Sequence, residues 1–259
     1  MQTVIADAAR TIVPSSGDRH GPLPPMLLVL TIVTGVVDAV SYLRLGHVFV
    51  ANMTGNVVFL GFALAGASGL SAVASIVALA AFLLGALAGG HLGTRLGQNR
   101  GRLLAAATAV KTVLVAVALI VAALVGESLT EAARYALIVL LALAMGLQNA
   151  TARKLAVPDL TTTVLTLTLT GFAADSGWAG GNAPRPGRRL VSVVSMLIGA
   201  VVGGCLCSAS ASRLPWASPL GSCCSPGLPC TGCRFRRHPG SLRRKAWPLG
   251  DVGQLNPRQ

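Results

Sequence analysis

Seven apolar runs, separated by short polar segments, follow one another between residues 26 and 206. The runs are 26–43, 48–66, 71–92, 103–125, 135–150, 157–174 and 190–206. A helix needs roughly 20 predominantly apolar residues to cross a bilayer, and most of the runs are close to that length. The pattern predicts an all-α fold, namely a polytopic transmembrane helix bundle of six or seven segments. A polar N-terminal tail, 1–25, precedes this transmembrane domain, 26–206.

An internal repeat underlies the apolar runs. The stretch L-G-A-L-A-G-G-H-L (84–92) matches I-G-A-V-V-G-G-C-L (198–206), and G-V-V-D (35–38) falls opposite G-L-Q-N (146–149). We therefore expect repeat A (26–92), a linker helix (103–125) and repeat B (132–206), in a 3+1+3 order. If every run crosses once, the two triplets point the same way, which is a parallel repeat. The matched glycines are expected to pack helices closely; they are Gly85, Gly89, Gly199 and Gly203.

The charges of the loops predict an orientation. Basic residues occupy alternate loops, whereas Glu127 and Glu131 fall in the other set. The positive-inside rule then places the basic loops in the cytoplasm and the N-terminus outside. The basic residues concerned are Arg44, Arg95, Arg100, Arg102, Arg153 and Lys154. Arg185, Arg188 and Arg189 contradict this scheme with seven crossings, and agree with it if the Thr-rich run 157–174 is re-entrant; we expect seven segments, the sixth irregular.

Composition excludes an ordinary soluble domain. Only 11% of the residues are charged and 53% are hydrophobic, whereas soluble domains carry roughly 25% charged residues. The net charge of +13 comes largely from the segment after Leu206. No aromatic platform accompanies these charges, so nucleic acid is not an expected partner. The Cys/Arg/Pro-rich tail, 207–259, has a composition typical of disorder or of a shifted reading frame.

Polar residues interrupt the second run at N-M-T-G-N (52–56), and a second polar stretch lies opposite them in repeat B. Such interruptions at corresponding places in two halves are a pointer to a binding site. We expect these residues to line a solute path; they are Asn52, Thr54, Gly55, Asn56, Asp159, Thr161, Thr162 and Thr163. The alternative is interhelical hydrogen bonding, which Asn and Thr commonly provide in membranes.

Asp38 is an ionisable residue inside the first run, and such residues are functional candidates in membranes. It is predicted either to couple transport to a proton or cation, or to form a structural pair with Arg44 or Lys111. Lys111 lies in the middle of its own run and must pair or reach water. Asn149, which falls opposite Asp38 in the repeat, keeps the hydrogen-bonding capacity without the charge.

Sequence motifs of hydrolases, ATPases and zinc proteases are absent from the chain. The six cysteines all lie at or after residue 205, and C-T-G-C (230–233) has no second pair that would complete a zinc site. We therefore expect neither an enzyme nor a cofactor or metal.

Two stretches resemble a known family. D-A-V-S-Y-L-R-L-G-H-V-F-V-A-N-M-T-G-N (38–56) and V-P-D-L-T-T-T-V-L-T (157–166) are similar to the two signatures of the YoaK family, also called DUF1275. The resemblance extends over residues 26–206. It implies a bacterial integral membrane protein of about six helices, without an assigned activity, in the inner (cytoplasmic) membrane.

Three functions are compatible with this sequence. The first is a permease-like transporter of a small solute, working by alternating access as the two repeats rock. The second is a non-transporting assembly or sensory component, which predicts that the polar residues are paired in a dry bundle. The third, an intramembrane enzyme, needs a constellation of catalytic groups that the sequence does not offer. The lipid bilayer is an expected partner in each case.

Overall fold

The structure is a computed structural model that describes residues 2–14, 22–126, 129–157, 165–176, 179–181 and 185–212. The chain forms eight helices within this part. They are α1 (Gln2–Ile12), α2 (Leu23–Arg44), α3 (Met53–Leu64), α4 (Ala72–Leu96), α5 (Arg100–Val125), α6 (Glu131–Leu155), α7 (Leu165–Ala174) and α8 (Pro186–Ser212). The predicted all-α bundle is confirmed.

Side-chain caps start three of the long helices after short turns. Ser71 accepts a hydrogen bond from Ala74 N at the start of α4, and Thr130 accepts one from Ala133 N at the start of α6. Asn99 does the same for α5 through Arg102 N. Each cap satisfies a backbone donor that the first turn of a helix leaves unpaired. The polar residues between the apolar runs therefore set where these helices begin.

In the part of the chain that the structure describes, five helices are long and apolar enough to cross a membrane: α2, α4, α5, α6 and α8. The other two apolar helices, α3 and α7, have 12 and 10 residues. At 1.5 Å per residue each extends for about 15–18 Å, which is roughly half of a 30 Å hydrocarbon layer. Of the seven predicted segments, five form spanning helices, whereas the run 48–66 forms the half-length helix α3 and the described part of the run 157–174 forms α7.

Two core clusters show the direction of each helix. In one cluster, Leu45 from the end of α2 packs with Ala74 from the start of α4, Ala118 from the last third of α5 and Ile138 from the start of α6. In the other, the start of α2 packs with the start of α5 and the end of α6. That second cluster contains Leu23, Leu27, Leu103 and Leu155, with Leu92 and Val191 against it. Thus α2, α5 and α8 run one way, and α4 and α6 run the other.

The two half-length helices do not change the direction of the chain. The start of α3 lies beside Phe82 and Ala86 in the middle of α4, and its end leads to the start of α4. Likewise the start of α7 lies beside the same place through Thr166. Its end is followed by Asp175, which pairs with Arg189 near the start of α8. Each triplet therefore crosses twice, and its half-length helix begins near mid-depth.

This direction corrects the expected parallel repeat. Because each triplet crosses twice and α5 crosses once, the second triplet starts at the end opposite to the first. The first helices of the two triplets, α2 and α6, are consequently antiparallel, and so are the third helices, α4 and α8. The 3+1+3 order of helices remains, but the triplets are inverted with respect to each other.

Glycines bring the helices together in two closely similar interfaces, α4 against α6 and α2 against α8. A Cβ atom added to Gly89 would lie 2.7 Å from Leu147 O and 2.9 Å from Ala150 Cβ. A Cβ atom added to Gly203 would lie 2.7 Å from Val36 O and 2.9 Å from Ala39 Cβ. Gly85 and Gly199 are packed equally tightly, against the backbone of Leu143 and of Ile32. The predicted packing glycines thus sit where only a hydrogen atom fits.

The charges gather at one end of the bundle, which we call the basic end: the end where α2, α5 and α8 begin. Its basic residues are Arg95, Arg100, Arg102, Arg153, Lys154, Arg185, Arg188 and Arg189. Arg44 and Arg134 lie at the other end, where the Arg44 guanidinium donates to Cys207 O and Arg134 pairs with Glu131. Two expectations are corrected here: Arg44 is not on the side of Arg95, and α2 begins on the basic side.

The two tails differ from their predicted boundaries. The N-terminal tail contains helix α1, whose Asp7 carboxyl group accepts a hydrogen bond from Arg188 N at the start of α8. The last helix continues six residues beyond Leu206, to Ser212. The rest of the predicted C-terminal tail lies outside the described residues.

Candidate functional site

Asp38 binds the backbone of the connection between α2 and α3. Its side chain is 4% exposed, and Oδ1 accepts hydrogen bonds from Val50 N at 3.1 Å and Ala51 N at 2.8 Å. A buried backbone N–H group without a partner costs about 1–3 kcal/mol, so this carboxyl group stabilises a connection that runs back into the bundle. Asp38 Oδ2 is buried without a hydrogen-bond partner in the described part of the chain.

Asn56 holds the same connection from the other side. Its Oδ1 accepts a hydrogen bond from Phe49 N at 2.9 Å, and its Nδ2 donates to Phe49 O at 2.6 Å. The side chain is completely buried. Both functions of the amide are thereby used on the backbone of one residue. Asn56 does not line the predicted solute path, which corrects that expectation.

The ring of Phe49 packs between aromatic residues of α2 and α3. It stacks on Tyr42 at 5.0 Å and on Phe59 at 5.7 Å between ring centroids. A Cβ atom added to Gly55 would lie 2.7 Å from Phe49 Cδ2, so a glycine is needed for the ring to reach this place. The stretch 38–56 therefore packs against itself, and much of its polarity is used to fix the start of α3.

An open cleft of about 940 Å³ begins directly beside this unit. Asn52, Thr54 and Gly55 line it from the start of α3, and Asn149 lines it from α6. Asn52 and Thr54 are exposed, and no side chain caps the start of α3. The structure thus brings together three predicted path residues and the repeat mate of Asp38. The other predicted path residues, Asp159, Thr161, Thr162 and Thr163, lie outside the described residues.

Two further described residues contribute to the polar lining of the cleft. Arg153 and Thr166 both line it, although the sequence pattern predicted a loop at Arg153 and did not place Thr166 among the path residues. Arg153 follows Asn149 by four positions, which is one turn of α6, so the two side chains share a face. That spacing is the signal that would have identified Arg153.

Lys111 is not paired with Asp38, which corrects the predicted ion pair. Its Nζ instead donates a hydrogen bond to Gln148 Oε1, and Gln148 Nε2 donates to Thr34 Oγ1 at 2.9 Å. Lys111, Gln148 and Thr34 are all buried. This polar chain connects α5, α6 and α2, and α2 otherwise approaches α6 at few points. No carboxylate of the described residues forms an ion pair with Lys111.

The described residues contain no group of three or more His, Cys, Asp and Glu side chains that would hold a metal ion. Asn149, which lines the cleft, donates a hydrogen bond to Met145 O at 2.9 Å through Nδ2. The candidate site is therefore a largely apolar cleft whose described lining also contains neutral polar groups and the Arg153 guanidinium, beside the connection between α2 and α3.

Comparisons with known proteins identify the family. Residues 26–224 match the family described as "Protein of unknown function (DUF1275)"; the match continues past Leu206, where the sequence resemblance was expected to stop. The chain is 34% identical over 150 residues to "UPF0700 transmembrane protein YoaK" of Bacillus subtilis (strain 168), over 58% of this chain and 65% of that relative, which is slightly less than two thirds of its length. No solved structure matches it. Since the family match covers most of the chain, this membrane protein belongs to the DUF1275 family.

Proposed function

We propose that the protein is a permease-like transporter that moves a small solute through the cleft between α3, α4, α6 and α7. The observation that carries the proposal is the cleft of about 940 Å³ beside the middle of α4, in which polar side chains lie among apolar ones. Polar groups at mid-depth of a membrane are costly unless they face protein or a water-filled cavity. Asn52 and Thr54 are exposed there.

The half-length helices support this proposal. Transporters with inverted repeats commonly place the starts of discontinuous helices near the midplane, where they contact the solute. Here α3 starts at the cleft with Asn52 and Thr54, and α7 starts there with Thr166. By the positive-inside rule, the basic end lies in the cytoplasm of a bacterial cell.

The glycine interfaces define which parts move. Each interface joins the first helix of one triplet to the third helix of the other, α6 to α4 and α2 to α8. Rocking the two repeats against each other would therefore separate both interfaces. The moving bodies are instead the α2–α8 pair and the α4–α6 pair with α5. The bond between Gln148 and Thr34 joins these bodies, and it is a contact that alternating access would break and remake.

A second candidate is a non-transporting assembly or sensory component. The observation that favours it is the use of Asp38 and Asn56 for local backbone hydrogen bonds, because these two residues gave the sequence much of its transporter character. In that case the cleft is filled by lipid or by another protein, and no solute passes. Neither candidate requires catalysis.

The test is a flux assay with a removable block. A cysteine-free protein with Thr54→Cys is reconstituted in liposomes, and entry of acetate, inorganic phosphate, choline and glycerol is followed by light scattering. The matched control is Val57→Cys, since Val57 is 56% exposed on α3 but does not line the cleft. We expect flux of at least one solute that a bulky maleimide stops at residue 54 and not at residue 57. Flux no greater than in empty liposomes, or flux insensitive to both blocks, would overturn the proposal.

A further inference from the structure

We infer that the solute is a small anion carrying a carboxylate or phosphate group, and that Arg153 binds it. This inference rests on the proposed function and adds the substrate class to it. The charged residue among the described lining residues of the cleft is Arg153. The acidic group of the neighbouring connection, Asp38, is turned toward Val50 N and Ala51 N and does not line the cleft.

Arg153 is available for a ligand. Its side chain is exposed, and it forms no hydrogen bond or ion pair within the described part of the chain. Its neighbour Lys154 has a different role: the Lys154 stem packs against Gly93 and Gly97, with Cγ 3.2 Å from a Cβ added at Gly93. Two adjacent cations of α6 thus face different surroundings, and of the two Arg153 faces the cleft.

The chemistry of the lining suits an oxyanion. A guanidinium presents five N–H donors in a planar fork that matches a carboxylate or a phosphate. The Thr54 and Thr166 hydroxyl groups and the Asn52 amide add further donors around the cleft. The uncapped first turn of α3 leaves backbone N–H groups there. The described lining residues include no acidic group, and a bound cation would need one.

The same chemistry is offered by the head group of an anionic lipid, because Arg153 lies near the basic end of α6. The experiment therefore separates a free anion from a lipid. A cysteine-free protein with Thr54→Cys is placed in nanodiscs of phosphatidylcholine, and the modification rates by an anionic and a cationic methanethiosulfonate are compared. Each rate is normalised to that of a small free thiol.

The expected result is a preference for the anionic reagent of about tenfold, since a cation that lines the same cleft raises the local anion concentration by about that order. Arg153→Gln should reduce the ratio to about one, Arg153→Lys should retain most of it, and Lys154→Gln should leave it unchanged. Acetate or inorganic phosphate should slow modification saturably in the parent protein and not in Arg153→Gln, whereas chloride at equal ionic strength should not.

Three outcomes would overturn the inference. Equal rates, or a faster cationic reagent, would show a cleft without anion preference and would leave the transport proposal standing. Loss of the preference when phosphatidylglycerol is added, without competition by free phosphate, would assign Arg153 to a lipid. Failure of both reagents to reach the cysteine introduced at position 54 would show a dry cleft, and the transport proposal would fail too.

Discussion

Asn52 and Asn56 are identical residues one helical turn apart, but they lie in different environments. Asn56 is completely buried and uses both ends of its amide on the backbone of Phe49. Asn52 is exposed, does not cap α3 with its side chain, and lines the cleft. One motif therefore contains a residue that holds the fold together and a residue whose side chain is exposed in the cleft.

The same division extends to the neighbouring residues. Asp38 and Gly55 have structural roles, as Asn56 does. Asp38 accepts hydrogen bonds from the backbone of residues 50 and 51, and Gly55 leaves room for the Phe49 ring. Thr54 and Arg153 belong with Asn52, because they line the cleft without holding the fold. The polar residues of a membrane protein can thus be sorted by asking which of them have partners already.

The largest effect on stability is expected for Asp38→Ala. The substitution leaves Val50 N and Ala51 N buried without an acceptor, which should lower the free energy of unfolding by about 2–4 kcal/mol. Asp38→Asn keeps one acceptor oxygen and should cost less. Reversible unfolding in mixed detergent micelles measures both. An Asp38→Ala protein as stable as the parent would remove Asp38 from the structural group.

Substitution of the two asparagines should affect stability somewhat less than Asp38→Ala, and the effect should differ between the two positions. Asn56→Ala loses two buried hydrogen bonds and should destabilise the protein by about 2–3 kcal/mol. Asn52→Ala should change the stability by less than about 0.5 kcal/mol, as exposed substitutions usually do. The same unfolding assay compares them. Equal losses at the two positions would contradict the division within the motif.

A pair of glycines in α3 separates the effect of Phe49 from that of helix propensity. Gly55→Ala places a methyl group against the Phe49 ring, and overpacking of this kind should cost about 1–3 kcal/mol, less the gain in helix propensity. Gly61→Ala meets no atom within 4 Å, so it should be neutral or slightly stabilising. Thermal unfolding of the two variants shows the difference, and a stabilised Gly55→Ala protein would be the contrary finding.

The smallest effect on stability, and a clear effect on transport, is expected for Thr54→Val. Removing an exposed hydroxyl group should change the free energy of unfolding by less than about 0.5 kcal/mol. It should slow solute flux in liposomes, because the cleft loses a polar group. A loss of stability without any change in flux would move Thr54 to the structural group.

The sequence predicted the helices and the close glycine contacts well, because both follow from local patterns. Apolar runs of sufficient length specify spanning helices, and Gly85, Gly89, Gly199 and Gly203 lie at helical spacing within two similar stretches. The direction of the repeats was not predictable by the same means. It depends on whether the run 48–66 crosses, and the backbone of residues 45–52 decides this through bonds to Asp38 and Asn56.

The site was predictable only in part, for a related reason. Asp38 and Asn56 are bonded to backbone groups, which carry no sequence signal, so their chemistry alone suggested a functional role. Lys111 donates to the neutral amide of Gln148 rather than to a carboxylate. Matching opposite charges in the sequence therefore cannot identify its partner. Arg153 was assigned to a loop because the apolar run ends before it, whereas α6 continues to Leu155.

The central claim is that the cleft residues meet water while the rest of the motif is closed. The most direct measurement is the rate at which a membrane-impermeant thiol reagent modifies single cysteines at positions 52, 54 and 57, from each side of oriented vesicles. We predict modification at 52 and 54, from either side as the two helix pairs move, and protection at 57. Equal protection at all three positions would show a dry bundle and contradict it.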